Sequence, residues 1–165
     1  MAGVIDGLVA WDGPKSWLAD RGWRAVPLNV DGSCFIPCPG TAQPTPPREL
    51  VPGFIQLTKP LSDQAAAASS YGPVLYIHLE FHAGTGTHEA LGWLDGEIAF
   101  GPSFTATPTE ASAHYVAATR RDMAINAGLR WLGVVASKDL DEFATVGLTR
   151  HRWNEEWIDA ATDDP

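Results

Sequence analysis

The stretch Pro73–Gly101, PVLYIHLEFHAGTGTHEALGWLDGEIAFG, decides the architecture. From Pro73 to Phe81 the residues alternate. Leu75, Ile77, Leu79 and Phe81 fall on one side, and Tyr76, His78, Glu80 and His82 on the other, the period-two pattern of a half-buried strand. Residues 88–94 and 97–101 read as two further strands joined at Asp95-Gly96, since both central positions of a tight hairpin turn accept positive φ. The implied unit is an antiparallel meander, buried on one face and more polar on the other.

Working outward, Pro14 to Arg21 predicts a short helix with Gly22 as its stop, and Trp23–Val30 and Ser33–Pro37 flank a second Asp-Gly turn at Asp31-Gly32. That gives about five strands. Between Pro37 and Pro60 lie seven of the thirteen prolines, a run that excludes a central strand or a long helix. The span 37–70 reads as a Pro/Ala-rich surface connection, with one PxxP at Pro44–Pro47 and a loop or short helix over Gln64–Ser70.

Past the meander the signals turn helical. Thr107-Pro-Thr-Glu110 has the capping-box pattern and predicts a helix from Pro108 towards Thr119. A second helix starts near Asp122, with Ile125, Leu129 and Leu132 on one face and Gly133 at its end. A short helix near Asp139–Thr145 and a last one near Asn154–Ala161 follow, and residues 160–165 read as a frayed acidic tail. Strands first and helices afterwards predict a single α+β domain over 1–165, its helices mostly C-terminal and packed on one face of the sheet.

The chain has 165 residues, close to the ~150 typical of one domain. Apolar residues make up 45 %, which excludes disorder of the whole. Twenty acidic against eleven basic residues give a charge of −9. That balance points away from nucleic acid and from an anionic membrane, both of which select basic surfaces. No apolar run approaches the ~18–20 residues needed to span a bilayer, and no Lys or Arg precedes Pro14 to supply a signal-peptide n-region. A cytoplasmic protein is expected. The two cysteines, Cys34 and Cys38, stand ~13 Å apart in an extended segment, too far for a disulfide, and read as reduced thiols.

Two groups of side chains carry candidate chemistry. Strand geometry puts His78, Glu80 and His82 on one face at ~6.6 Å intervals, where with His88 from the adjacent strand they offer imidazole and carboxylate ligands to a divalent metal such as zinc. The second group is Trp153 and Trp157, four apart on one face of the terminal helix beside Glu155 and Glu156, the composition of an interface anchor for a protein partner. Other motifs fail on inspection. Gly84-Thr-Gly86 has Glu89 where the dinucleotide fingerprint needs its third glycine, and His88-Glu89 has Gly92 where a zincin needs its second histidine. No Gly-x-Ser-x-Gly elbow exists, so no catalytic residue and no cofactor is assigned.

Glu80-Phe81, Gly84-Thr-Gly86, Trp93-Leu-Asp-Gly96 and Gly101-Pro102, followed by Asn126, Leu129-Arg130, Leu132-Gly-Val134, Asp141-Glu-Phe143, Gly147-Leu148 and Arg150-His151, form an ordered set. Over residues 72–157 this set resembles small acidic proteins encoded by high-GC actinobacteria. The resemblance implies an immunity-type role without an assigned activity, and it transfers no site residue. Two expectations follow. The first is a non-catalytic acidic binding protein, such as an immunity or antitoxin-type inhibitor whose partner is a basic toxin. The alternative is a small metal- or ligand-dependent enzyme working on the His78/Glu80/His82 face.

Overall fold

The computed structural model describes residues 2–39 and 49–163. Its first strand, β1 (Ala2–Trp11), lies inside the sheet, although its sequence shows no clean alternation. The cause is two glycines. A Cβ on Gly7 would stand 2.4 Å from the Ile36 carbonyl oxygen and 2.6 Å from the Phe35 ring, and one on Gly3 would stand 2.4 Å from the Phe81 ring. Neighbouring aromatic rings lie over the bare backbone, so positions that would otherwise be apolar are glycine.

The other strands are β2 (Val26–Pro27), β3 (Ser33–Pro37), β4 (Val74–His82), β5 (Thr85–Leu94), β6 (Glu97–Ala106) and β7 (Val116–Ala117). Among the described residues they form one seven-stranded sheet, in the order β2-β3-β1-β4-β5-β6-β7. All pairs are antiparallel except β6 with β7. The α+β class therefore holds, and the meander expected from residues 73–101 is β4-β5-β6. Asp95 and Gly96 both take positive φ, 53° and 84°, as its Asp-Gly turn requires.

Helices cover both faces, not one. On the side of Ile5, Val9, Phe35, Leu75 and Ile77 lie α3 (Ala124–Leu132), α4 (Glu142–Val146) and α5 (Asn154–Asp163). On the side of Leu8, Ile36, Tyr76, Leu91 and Trp93 lie α1 (Asp12–Ala19) and α2 (Lys59–Ala68). The described part of the expected surface connection also feeds the core: Phe54, Leu57, Leu61, Ala65 and Ala68 are buried against the second face, while Pro52, Gly53, Ile55, Lys59, Pro60 and Asp63 stay exposed. The PxxP at Pro44–Pro47 lies outside the described residues.

Three further expectations change. The Thr107–Glu110 stretch forms only a 3-10 turn over Pro108–Glu110, without a side-chain cap, and the chain then extends into β7, so the helix towards Thr119 does not form. The Thr107 hydroxyl accepts from Gly86 N–H instead of capping the turn, and Ala111–Ala118 supplies no apolar 3.6-residue stripe to bury. The helix α3 starts behind Met123, one residue later than Asp122 would place it. The last helix continues to Asp163 with Ala161 buried, where fraying was expected from residue 160. Gly133 and Gly147 end α3 and α4 at φ 105° and 89°, as expected of left-handed caps.

Trp157 is fully buried, edge-on to Phe35 at 5.0 Å between ring centroids. Trp157→Ala is expected to lower folding stability by ~3–5 kcal/mol in urea denaturation, the cost of emptying a large aromatic site; a loss below ~1 kcal/mol would contradict this placement.

Candidate functional site

The ladder between β1 and β4 pairs Asp6 with His78, Val4 with Glu80 and Ala2 with His82. The ladder between β4 and β5 pairs His78 with Glu89 and Glu80 with Thr87. These side chains share the second face, which changes character along its length. Under α1 and α2 it is apolar; at its middle it becomes a buried polar belt; beyond that it opens to solvent.

The belt is organised by Asp6. Its carboxylate accepts from the Tyr76 hydroxyl and lies 3.4 Å from Nδ1 of His78, whose Nε2 lies 3.1 Å from Glu80 Oε1. Across the ladder, buried Glu89 accepts from the Tyr115 hydroxyl, and its Oε1 has no partner among the described residues. Burial pulls the His78 pKa down, but the Asp6 and Glu80 hydrogen bonds and the Asp6 and Glu89 charges outweigh it and raise the value above the ordinary 6.5. Burial, reinforced by Asp6, pushes the Cys38 thiol and the Tyr76 hydroxyl well up. Both cysteines are free and buried, as the sequence led us to expect.

Beyond the belt, the open end of this face holds a notch of about 260 Å³ lined by Val4, Glu80, His82, Thr85, Glu110 and Trp153 among others. Trp153 is brought there by the backbone. Since β3 pairs only with Gly7–Trp11, the outer edge of β1 at Gly3–Asp6 is left for other partners. The chain before α5 takes it: Val4 N–H donates to the Arg152 carbonyl at 3.0 Å, and Asp6 N–H to Asn154 Oδ1 at 3.2 Å. Glu156 then accepts from the backbone N–H groups of Trp153 and Arg152, each at 3.0 Å, which fixes the start of α5 and holds its own carboxyl below the usual range.

The first face also opens at the β4–β5 turn, into a cleft of about 870 Å³. Its walls include Leu79, Phe81, Met123 and Phe143, with His88, Arg120, Asn126 and Asp141 as polar members. His88 pairs with Leu79 in the ladder, so it faces this cleft and not the belt. Burial presses its pKa down to about 4, against a weak upward pull from Asp141, so the ring is neutral at pH 7. Asp141 caps α4 by accepting from Ala144 N–H at 2.8 Å and receives Arg120 Nε at 2.6 Å. Burial raises its pKa, but these bonds and the Asn126 amide together leave it below the ordinary value.

The predicted site residues are therefore distributed over three places. His78, Glu80 and His82 share a face, with His78 enclosed and His82 exposed, while His88 lies on the opposite side of the sheet. The four do not converge, and no group of three or more His, Cys, Asp or Glu among the described residues has metal-binding geometry. Trp153, Glu155 and Glu156 are exposed as proposed for a partner surface, but Trp157 is not: its position faces Phe35, so it anchors the fold instead. Asp6, Arg120 and Asp141 were missed as site residues. Asp6 offered one signal, a lone acid inside an apolar run.

No protein-family model, curated protein or solved structure matches the chain. No helix is long and apolar enough to cross a membrane among the described residues.

The two histidines should titrate in opposite directions. In an NMR titration of the imidazole protons, His88 is expected near pH 4 and His78 above 6.5; both near 6.5 would contradict the two environments. The consequences for stability have opposite signs. The His78 contribution is complete below pH 6.5 and disappears as pH rises through its folded value. The His88 contribution is complete above about pH 6.5, and roughly 3 kcal/mol is lost as pH falls to about 4.

Proposed function

We propose that this chain is a non-catalytic binding protein for a basic protein partner, in the manner of an immunity-type inhibitor of a toxin. The observation that carries the reading is the notch beside Trp153. A large indole, 44 % exposed, borders a concavity that also presents the carboxylates of Glu80 and Glu110. Unlike the buried Trp93 and Trp157, Trp153 leaves its indole free to meet a partner beside a concavity.

The chemistry of the notch suits a lysine or arginine side chain. Its stem would lie against the Trp153 ring, where a cation over the indole gains ~0.5–2 kcal/mol, and its charge would meet Glu80 and Glu110. Glu155 and Glu156 on the first turn of α5 extend the negative surface around the anchor. The overall charge of −9 would speed encounter with a basic partner and make the rate fall with salt.

The test is titration calorimetry with the protein encoded directly upstream, followed by single substitutions. A saturable one-to-one complex is expected, weakened by ~2 kcal/mol or more by Trp153→Ala, with Glu110→Gln reducing mainly the association rate. Absence of binding, or a loss under ~0.5 kcal/mol for Trp153→Ala, would refute the reading. Trp153→Ala should leave folding stability nearly unchanged, which separates it from Trp157→Ala.

A further inference from the structure

The first-face cleft meets the notch only at Phe81, Thr85 and Gly86 and has its own chemistry. Its volume of about 870 Å³ falls within the ~300–1,000 Å³ of pockets that enclose small organic molecules. Leu79, Phe81, Met123 and Phe143 give it apolar walls. We propose that this cleft binds a small organic carboxylate, an apolar body with a single anionic head held by Arg120.

Arg120 is set up for such a head. Its side chain is 78 % exposed, yet its guanidinium is fixed from one side by Nε donating to Asp141. The two terminal nitrogens make no hydrogen bond among the described residues, so a planar two-donor fork is left for a ligand. The clamp is itself built. Asp141 is pinned by Ala144 N–H, and Asn126 Nδ2 donates to the Arg120 carbonyl at 2.9 Å and to Asp141 at 3.3 Å. Phe143 N–H donates to Asn126 Oδ1 at 3.0 Å, which fixes the amide's orientation. An arginine held this way loses little freedom when it takes a carboxylate.

The rest of the lining narrows the ligand. Asp141 already balances the charge of Arg120, so a multiply charged phosphate would meet no net positive charge, whereas a monoanion can be held by the hydrogen bonds of the free fork. Asp141 receives donors from three residues, which leaves it poorly placed to attract a cation. His88 Nδ1 is enclosed without a partner, so the ring meets the cleft through Nε2. In the neutral ring Nε2 can carry the proton and so donate towards the ligand. A neutral imidazole on an apolar wall adds one hydrogen bond without a charge to desolvate.

The probes are octanoate and 1-octanol, which share a body and differ in the head. Titrations followed by amide NMR shifts and calorimetry are expected to show saturable octanoate binding. The shifts should be confined to the cleft lining, at Leu79, His88, Met123, Asn126, Asp141 and Phe143, and spare Glu80, His82 and Trp153 of the notch. Octanoate should bind at least about ten-fold tighter than 1-octanol, the gain of a charge-assisted two-point contact. Arg120→Gln should bring octanoate down to the level of the alcohol and leave the alcohol unchanged. Because Arg120 is exposed, shifts elsewhere in the variant should match the parent. Equal affinity for the two probes, shifts scattered outside the cleft, or a preference that survives Arg120→Gln would each overturn the proposal. None of these outcomes bears on the basic-partner reading, which concerns the other face.

Discussion

Insertion of β1 between β3 and β4 is the constraint on which the rest depends. The meander β4-β5-β6 is local in sequence, but β3 and β2 reach it only through β1, whose ladder with β4 runs from Ala2↔His82 to Ala10↔Val74. A strand in that position must be buried on both sides, and it is: Ile5 and Val9 face α3–α5, and Leu8 and Ala10 face α1 and α2. Asp6 is the polar exception. Its backbone carbonyl accepts from Cys38 N–H, its N–H reaches Asn154, and its carboxylate serves Tyr76 and His78. One residue thereby ties β4, the end of β3 and the start of α5 together. Removing its carboxylate would leave the buried Tyr76 hydroxyl and His78 Nδ1 without that partner, which is costlier than the net worth of either bond.

The same strand explains where the open surfaces lie. The helices α1 and α2 cover one end of the second face and α3–α5 cover much of the first, while the β4–β5 turn projects past both layers. Each face consequently ends in a concavity at that turn, and Phe81, Thr85 and Gly86 border both. The side-chain alternation of β4 and β5 gives the two concavities different chemistry: Glu80 and His82 look one way, Leu79, Phe81 and His88 the other. One side suits a cationic group beside an indole, and the other suits an apolar body with an anionic head.

Much of the local structure was legible because it follows from short-range rules. The alternation over Pro73–Phe81, the Asp95-Gly96 turn and the glycine caps at Gly133 and Gly147 each read correctly from a few neighbouring residues, whereas the expected strand Trp23–Val30 shrinks to Val26–Pro27 and Asp31-Gly32 turns within a longer connection, with positive φ at Gly32 alone. What escaped depends on distant ones. Strand β1 was hidden because Gly3 and Gly7 make room for Phe81 and Phe35, contacts that its own sequence does not contain. The polar half of β4 suggested a solvated face, yet β1 supplies Asp6, and His78 becomes an enclosed, charge-stabilised imidazole. The spacing of Trp153 and Trp157 suggested a shared exposed face. The edge of β1 pulls the chain before α5 into register, which leaves Trp153 outside and sends Trp157 onto Phe35. His88 was grouped with His78 as a ligand from the adjacent strand, but the register pairs it with Leu79 and turns it to the opposite face.

Native-state hydrogen exchange resolved by NMR tests the role of β1 most directly. If the strand organises both layers, the ladder amides within Val4–Ala10 should exchange only on global unfolding, with protection equal to that of the β4 interior. Rapid exchange along β1 while β4, β5 and β6 stay protected would mean that the meander folds without it, and the account would fail.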